Sequence, residues 1–350
     1  MPLDVAWFAA LCDDDYEFLG VPDPALRSSW EHCRDLVLRA ERNGFHSVLL
    51  PSGYALGIDA PAFAAGIAPL TDRIRLLLAV RAGELWPPQL ARQLATIDRM
   101  AGGRLDVNVI SSDLPGAPLD SDPRYRRTLE VMQILRRLLD GDPLRHHGEF
   151  YDLDLDPPAI TTVSGRCPSF YFGGLSDAAR ECAAAGADVY LMWPDTEDVV
   201  AAVIADLRVR AERHGRSLRF GYRVHVVVRE TEPAARGAAQ RLVGRLDRET
   251  GDAMRARSLD STSVGVRRQA ELRDAATDDD FVEPNLWTGI GRARSGCGAA
   301  IVGDPDQVLA KLIRYRSLGI DTFILSGYPH ANECDLFADH VLPRLRTEAP

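Results

Sequence analysis

The chain has 350 residues and a formal net charge of −10, with 46% hydrophobic and 26% charged residues. This length suffices for one large α/β barrel or two ordinary domains, and the excess of acid argues against a nucleic-acid partner. No apolar run is long enough to cross a bilayer and no charged-then-apolar leader opens the chain, so the sequence predicts a cytoplasmic protein that is not bound to a membrane.

Strand and helix signals alternate through the first half of the chain. Short apolar runs predict four strands: Leu3–Ala10, Ser47–Pro51, Ile74–Val80 and Leu105–Ile110. Helical spacing of apolar residues predicts a helix after each of them: around Trp30–Ala40, Asp59–Leu70, Leu90–Ile97 and Tyr125–Leu139. Because each strand is followed by a helix, the pattern favours a parallel sheet covered on both sides.

The second half continues this pattern after a long connection. Residues 141–168 read as that connection, with a short hairpin near Phe150–Tyr151. Four more strands are predicted at Ser169–Phe172, Asp188–Met192, Arg219–Val228 and Thr322–Ser326, with helices between them. Eight such units in one chain predict a (β/α)8 TIM barrel.

The segment between the seventh and eighth strands is longer than one helical crossover requires. It contains the polar stretch Thr277–Asp280 and the Arg/Gly/Ser-rich stretch Arg292–Gly298. At the ligand-binding end of a barrel, such a composition is typical of a mobile lid. A disordered surface insertion is an equally good interpretation.

The seventh predicted strand carries two polar residues that are unusual in a buried strand. Arg223 and His225 are two residues apart, so their side chains project from the same face. A buried guanidinium needs an anionic partner. That partner is either a carboxylate of the protein or a bound ligand, and from this segment alone the internal ion pair is the stronger interpretation.

Three further features lie where predicted strands end. The turn Gly173–Ser176 opens a helix and suits a phosphate, although it is also an ordinary capped turn. Trp193 could form the wall of a ligand pocket or pack at the rim of the core. Tyr328, in Ser326–His330, could project its phenol into a cavity or stack on the rim as part of a Tyr-Pro turn.

Several strings in the chain together resemble the FMNH2-dependent alkanesulfonate monooxygenase family of the bacterial luciferase superfamily. They are the segments at 92–99, 102–104, 171–177, 219–231, 284–287 and 319–330, which include Arg-x-His and Ser-Gly-Tyr-Pro-His. The likeness runs through nearly the whole chain in order. It implies one luciferase-like TIM-barrel domain over residues 1–350, with an insertion at about 250–298.

The resemblance also implies a chemistry and its partners. The family uses reduced FMN and O2 and receives the flavin from a separate NAD(P)H-dependent flavin reductase, and its members act on small anionic organic substrates. It implies a homo-oligomer, a dimer or a tetramer. No metal site is expected, because the six cysteines are scattered without a paired spacing.

The family's functional residues match ten positions of this sequence. The residues matched to catalysis are His225, Arg223, Tyr328, Trp193 and, on the lid, Arg294; those matched to flavin binding are Ser176, Leu175, Gly174, Tyr125 and Ser111. Two arginines suit a sulfonate, which is a delocalised monoanion whose oxygens accept charge-assisted hydrogen bonds. A lid that carries Arg294 would exclude water from the pocket.

The sequence departs from the family in three loops of the first half. These are Cys12–Asp15, Pro51–Gly57 and Ser111–Pro115. Extra acid and the bulky Tyr54 near the mouth would change which molecule fits. The leading prediction is oxygenative C–S cleavage of a sulfonate to an aldehyde and sulfite; the alternatives are oxygenation of a different, larger metabolite and a non-catalytic flavin-binding protein.

Overall fold

A computed structural model describes residues 3–256, 263–277 and 279–348. Residues 257–262 and 278 of the predicted insertion, together with residues 1, 2, 349 and 350, lie outside these ranges. Asp278 of the polar stretch is one of them.

The predicted eight-stranded parallel barrel is confirmed. Its strands are β1 (Asp4–Phe8), β2 (Ser47–Leu50), β3 (Arg75–Arg81), β4 (Leu105–Ile110), β5 (Phe170–Phe172), β6 (Val189–Met192), β7 (Arg219–Val228) and β8 (Thr322–Ser326). Each strand pairs in parallel with the next, and β8 pairs with β1 to close the barrel. The carboxyl ends of all eight strands therefore meet at one rim.

Twelve α-helices accompany the strands in the described ranges. They are α1 (Trp30–Arg42), α2 (Ala60–Ile67), α3 (Pro87–Met100), α4 (Ser121–Leu139), α5 (Asp177–Gly186), α6 (Glu197–Arg213), α7 (Glu232–Val243), α8 (Arg248–Ala256), α9 (Val264–Asp274), α10 (Pro305–Leu318), α11 (His330–His340) and α12 (Leu342–Glu348). Helix α4 begins four residues earlier than predicted. Its first turn is polar, so the spacing of apolar residues does not reveal it. No described helix is both long enough and apolar enough to span a bilayer.

Successive side chains on a barrel strand point to opposite sides and pack in two different hydrophobic clusters. On β1, Val5 and Trp7 pack in the large cluster beneath the surrounding helices, whereas Ala6 and Phe8 pack in a smaller cluster inside the barrel. The same alternation on β7 turns Tyr222 outward, where its ring stacks on Tyr315 of α10 at 4.4 Å. The residues at odd positions of β7 consequently face the barrel interior.

The predicted hairpin in the long connection is also present. Strands Leu144–His147 and Asp152–Leu155 pair antiparallel. The Glu130 carboxylate on α4 accepts hydrogen bonds from the backbone N–H groups of Glu149 and Phe150 in the turn. This turn is thus attached to the outer helical layer.

The segment between β7 and β8 contains a strand that the sequence reading missed. Ala300–Gly303 pairs in parallel with β7 from His225 to Val228. Strand β6 covers the same edge of β7 only as far as Tyr222, so the longer β7 would otherwise leave backbone groups unpaired. Leu286–Trp287 and Phe281–Glu283 extend this extra sheet antiparallel.

Candidate functional site

Two polar residues of β7 meet at the carboxyl rim of the barrel. Arg223 and His225 both face inward, as their spacing predicts, and both reach the hydroxyl of Ser326 at the end of β8. The register that pairs His225 with Ser326 brings these groups together. All three side chains are buried.

Arg223 has polar neighbours but no carboxylate partner in the described ranges. Its Nη2 donates to Ser326 Oγ at 2.8 Å and its Nη1 to the Val224 carbonyl at 3.1 Å. The guanidinium carbon lies 4.3 Å from the centre of the Phe8 ring. Burial lowers the pKa of Arg223 from its ordinary value. The structure thus gives no support to the internal ion pair that the strand alone favoured.

His225 is held in one orientation by Ser326. Its Nδ1 lies 2.7 Å from Ser326 Oγ, and its ring stacks on Tyr328 with the centroids 5.1 Å apart. Because Arg223 can only donate to Ser326, the hydroxyl hydrogen is available for His225 Nδ1, which leaves the ring hydrogen on Nε2. Burial, followed by the charge of Arg223, holds the pKa of His225 well below 6.5. The imidazole is therefore neutral at pH 7.

Tyr328 and His330 complete an aromatic group around this pair. Their rings are 5.3 Å apart, and His330 stacks on Phe8 at 5.7 Å. His330 Nδ1 lies 3.1 Å from the Phe8 carbonyl oxygen, so Nδ1 carries the hydrogen and Nε2 is left as an acceptor. Burial raises the pKa of Tyr328, which keeps its hydroxyl protonated.

Arg294 approaches this group from the insertion. Its Nη1 lies 3.3 Å from Asp14 Oδ2, and its side chain is 24% exposed. Burial alone would lower the pKa of Arg294, but the charge interactions of the site, including that with the Asp14 carboxylate, raise it above the ordinary value. Arg294, unlike Arg223, is paired with a carboxylate of the protein.

Several buried polar atoms in this region have no hydrogen-bond partner among the described residues. They are His225 Nε2, Tyr328 OH, His330 Nε2 and Asp14 Oδ1. Buried polar groups are nearly always hydrogen-bonded in native proteins. Their concentration beside Arg223 indicates a site for a polar ligand. We call Arg223, His225, Tyr328, His330, Arg294 and Asp14 the rim cluster.

Trp193 lies at the junction between the barrel and the insertion. It follows β6 and is 37% exposed. A Cβ atom at Gly265 or at Gly296 would lie 3.0 Å from its indole ring. The backbone of the insertion thus packs closely on the Trp193 indole in two places, at Gly265 of α9 and at Gly296 in the segment that carries Arg294.

The predicted flavin residues form a second group on the same rim, at the ends of β4 and β5. Gly174 has φ +153°, and a Cβ there would lie 3.3 Å from Tyr125 OH and 2.7 Å from the Ala179 Cβ. Tyr190 OH donates to the Gly174 carbonyl at 2.7 Å. Glycine is therefore required at this turn, and it leaves the backbone open beside the Tyr125 phenol.

The neighbouring groups have the chemistry that a phosphate needs. Ser176 is the N-cap of α5 and accepts from the Ala179 N–H at 3.2 Å. Ser111 Oγ lies 2.9 Å from Thr128 Oγ1 of α4. Leu175 lines a cavity of about 330 Å³ that also contacts Arg180. Hydroxyls, a phenol and a helix N-terminus beside a glycine turn fit the phosphate of a flavin nucleotide.

Sequence reasoning gave no role to three residues of this rim. Arg81, at the end of β3, is buried; its Nε donates to Ser112 Oγ at 2.6 Å. A charged residue at the carboxyl end of a buried barrel strand is a candidate site residue, but the predicted strand ended at Val80 and so left Arg81 out. Ser326 and His330 lay in a quoted motif, yet only the register of the strands shows what they contact.

Comparisons with known proteins agree with this architecture. The profile of a family described as luciferase-like monooxygenase matches residues 18–322. A sulfoquinovose monooxygenase of Novosphingobium aromaticivorans is 64% identical over 349 residues, which cover 98% of this chain and 96% of that relative. A sulfoquinovose monooxygenase of Agrobacterium fabrum is 52% identical over 347 residues, covering 98% of this chain and 90% of that one.

Solved structures of more distant proteins share the fold. The EDTA monooxygenase of Chelativorans sp. BNC1 superposes with a TM-score of 0.79 at 17% identity, covering 100% of this chain and 95% of that chain. At this identity the likeness shows the fold alone.

Proposed function

The chain belongs to the luciferase-like monooxygenase family, and from that premise we propose that it uses reduced FMN and O2 to cleave the C–S bond of an organosulfonate. The two relatives named as sulfoquinovose monooxygenases support a sulfonated sugar as the first substrate to test. Both names describe enzymes, which argues against the alternative of a non-catalytic flavin-binding protein.

One observation carries the proposal: the buried Arg223 has no carboxylate partner in the described ranges. A guanidinium in this setting is stable only with compensating charge nearby. Arg294 already has Asp14, whereas Arg223 is buried and has no carboxylate of its own among the described residues. A sulfonate carries one negative charge and would give Arg223 the anionic partner that it lacks.

The proposed reaction balances with one equivalent of each reactant. An alkyl sulfonate R–CH2–SO3−, FMNH2 and O2 give R–CHO, SO3²−, FMN, H2O and one proton. The carbon next to sulfur loses a hydrogen and the C–S bond breaks. One oxygen atom enters the aldehyde and the other leaves as water.

Reduced flavin supplies the electrons that activate O2. We propose that Tyr125, Gly174, Leu175, Ser176 and Ser111 hold its phosphate, because these residues place hydroxyls and backbone N–H groups around the turn before α5. The helix N-terminus adds a favourable field for the anion.

The rim cluster would bind and orient the substrate. Arg223 would donate to the sulfonate oxygens from Nη groups that Ser326 and Phe8 position. Neutral His225 presents an N–H at Nε2, and Tyr328 presents a protonated hydroxyl. Each could donate a hydrogen bond to an oxygen that gains negative charge during the reaction.

The insertion would close the pocket. Arg294 brings a second guanidinium to the rim, and Trp193 provides a flat wall against which the insertion packs. Closure would exclude water from the oxygenation. We propose, in addition, that a separate NAD(P)H-dependent flavin reductase supplies the reduced FMN and that the enzyme works in the cytoplasm as a homo-oligomer.

The test is a sulfite assay. The protein is incubated with O2 and a flavin reductase that regenerates reduced FMN, first with sulfoquinovose and then with a series of alkanesulfonates. Sulfite that appears in proportion to the aldehyde product supports the proposal. No sulfite from any sulfonate, together with flavin oxidation that yields only hydrogen peroxide, would refute it.

A further inference from the structure

Three consecutive acids follow Cys12 in the loop after β1, and they have different surroundings. Asp13 accepts from the Ser28 backbone N–H at 2.8 Å. Asp15 accepts from the backbone N–H groups of Tyr16 and His330, each at 2.9 Å, and pairs with His32 at 3.0 Å. Both of these carboxylates are engaged within the fold.

Asp14 is the acid of this loop that belongs to the rim cluster. It is 4% exposed, and its Oδ2 pairs with Arg294. Its Oδ1 is buried and has no hydrogen-bond partner among the described residues. Its negative charge also acts on Arg223, Tyr328 and His330, which places it within the same group.

The rim cluster contains acceptors that a sulfonate cannot use. A sulfonate has only acceptor oxygens, and these match the donors of Arg223, Arg294 and His225. Asp14 Oδ1 and His330 Nε2 are acceptors without a hydrogen, so they require donors. Leaving a buried carboxylate oxygen unpaired in the complex is costly. A ligand that fits every atom here therefore combines an anionic group with at least one hydroxyl.

We propose that Asp14 is a specificity-determining residue that accepts a hydrogen bond from a substrate hydroxyl, so that the enzyme prefers hydroxylated sulfonates to unsubstituted alkanesulfonates. This inference rests on the proposed sulfonate cleavage and adds the group that discriminates among sulfonates. Sites built to bind a substrate hydroxyl reject the analogue that lacks it by large factors, on the order of 10⁴-fold. In this proposal Asp14 supplies the oxygen that accepts the hydrogen bond from the hydroxyl, and its negative charge balances the positive charge of Arg294.

The experiment compares sulfoquinovose with hexane-1-sulfonate, which has the same carbon chain length without hydroxyls. We measure kcat/KM for sulfite release from both, in the wild type, Asp14→Ala and Asp14→Asn. The wild type should prefer the sugar by about 10²-fold or more. Asp14→Ala should lower this ratio at least about 10-fold, whereas Asp14→Asn, which keeps an acceptor oxygen, should lower it less.

Asp13→Asn is the matched control. It makes the same chemical change one residue earlier, on a carboxylate that bonds to Ser28, and the preference ratio should stay at the wild-type value. Far-ultraviolet circular dichroism verifies that each variant is folded. Equal losses for both substrates in Asp14→Ala and Asp14→Asn would show that Asp14 serves only as the counter-ion of Arg294, and the inference would be wrong.

A binding measurement separates this inference from the proposed reaction. Calorimetric titration of the protein loaded with oxidised FMN gives the affinities for both sulfonates without turnover. If the wild type releases no sulfite but binds the sugar more tightly than hexane-1-sulfonate, and Asp14→Ala loses that difference, the reaction is wrong and the role of Asp14 stands. Equal affinities of the wild type and Asp14→Ala for the sugar would overturn the role of Asp14 whatever the reaction is.

Discussion

Replacing Ser326 with alanine should disorganise two residues of the rim cluster, Arg223 and His225, which both contact its hydroxyl. The hydroxyl of Ser326 accepts from Arg223 Nη2 at 2.8 Å and bonds to His225 Nδ1 at 2.7 Å. All three residues are 4% exposed or less. Ser326→Ala removes one oxygen atom and leaves both partners without this contact in a buried setting.

The expected cost follows from those two contacts. A buried polar group left without its partner costs about 1–3 kcal/mol, and one of the two here is charged. Since a water molecule could fill part of the space, we expect Ser326→Ala to lower the free energy of unfolding by about 2–4 kcal/mol. Loss of the acceptor and donor that fix both side chains should also lower kcat/KM about 10- to 100-fold.

Urea denaturation followed by circular dichroism measures the first effect, and sulfite release measures the second. Ser47→Ala on β2 is the matched control, because that serine is also buried on a barrel strand and the described contacts give its hydroxyl no hydrogen bond. The control should lose less than about 1 kcal/mol. If Ser326→Ala behaves like the control in both assays, Ser326 does not organise Arg223 and His225.

Three other predictions follow from the same geometry. Arg294→Ala should yield more hydrogen peroxide and less sulfite per flavin oxidised, and unchanged coupling would count against a role for Arg294 in closing the pocket. Burial lowers the pKa of both His225 and His330, so the unfolded chain binds protons below pH 6.5 that the folded chain does not. The free energy of unfolding should therefore fall between pH 6.5 and 5.5 with a slope of up to about 1.4 kcal/mol per pH unit for each histidine, and His225→Phe should remove one share of that slope. A slope that His225→Phe leaves unaltered would contradict the assignment. Gly174→Val should weaken FMN binding in a fluorescence titration, because even its Cβ would lie 2.7 Å from the Ala179 Cβ and φ is +153°; Gly237→Ala, where a Cβ meets nothing within 4 Å, is the control and should bind FMN normally.

The barrel could be predicted from the sequence because its strands are short apolar runs separated by helical patterns. Strand Ala300–Gly303 could not. It has only four residues, and it forms because β6 ends at Met192, opposite Tyr222, and leaves the upper edge of β7 unpaired. This unpaired edge depends on the relative lengths of β6 and β7 in the folded sheet. No local sequence pattern indicates it.

Only the part of the site that depends on local spacing could be predicted from the sequence. The two-residue spacing of Arg223 and His225 shows that they share a face, because side chains alternate along a strand. Their common contact with Ser326 depends on a register between segments that are 101 residues apart. Likewise, the loop conformation decides which acid after Cys12 faces the rim cluster. Asp14 is that residue, and composition alone does not distinguish it from its neighbours.

A crystal structure of the enzyme with FMN and a bound sulfonate substrate tests the central claim most directly. The account predicts sulfonate oxygens within hydrogen-bonding distance of Arg223, with His225 and Tyr328 lining the same pocket beside the flavin. A sulfonate bound elsewhere on the barrel, with Arg223 paired to a carboxylate of the protein, would contradict it.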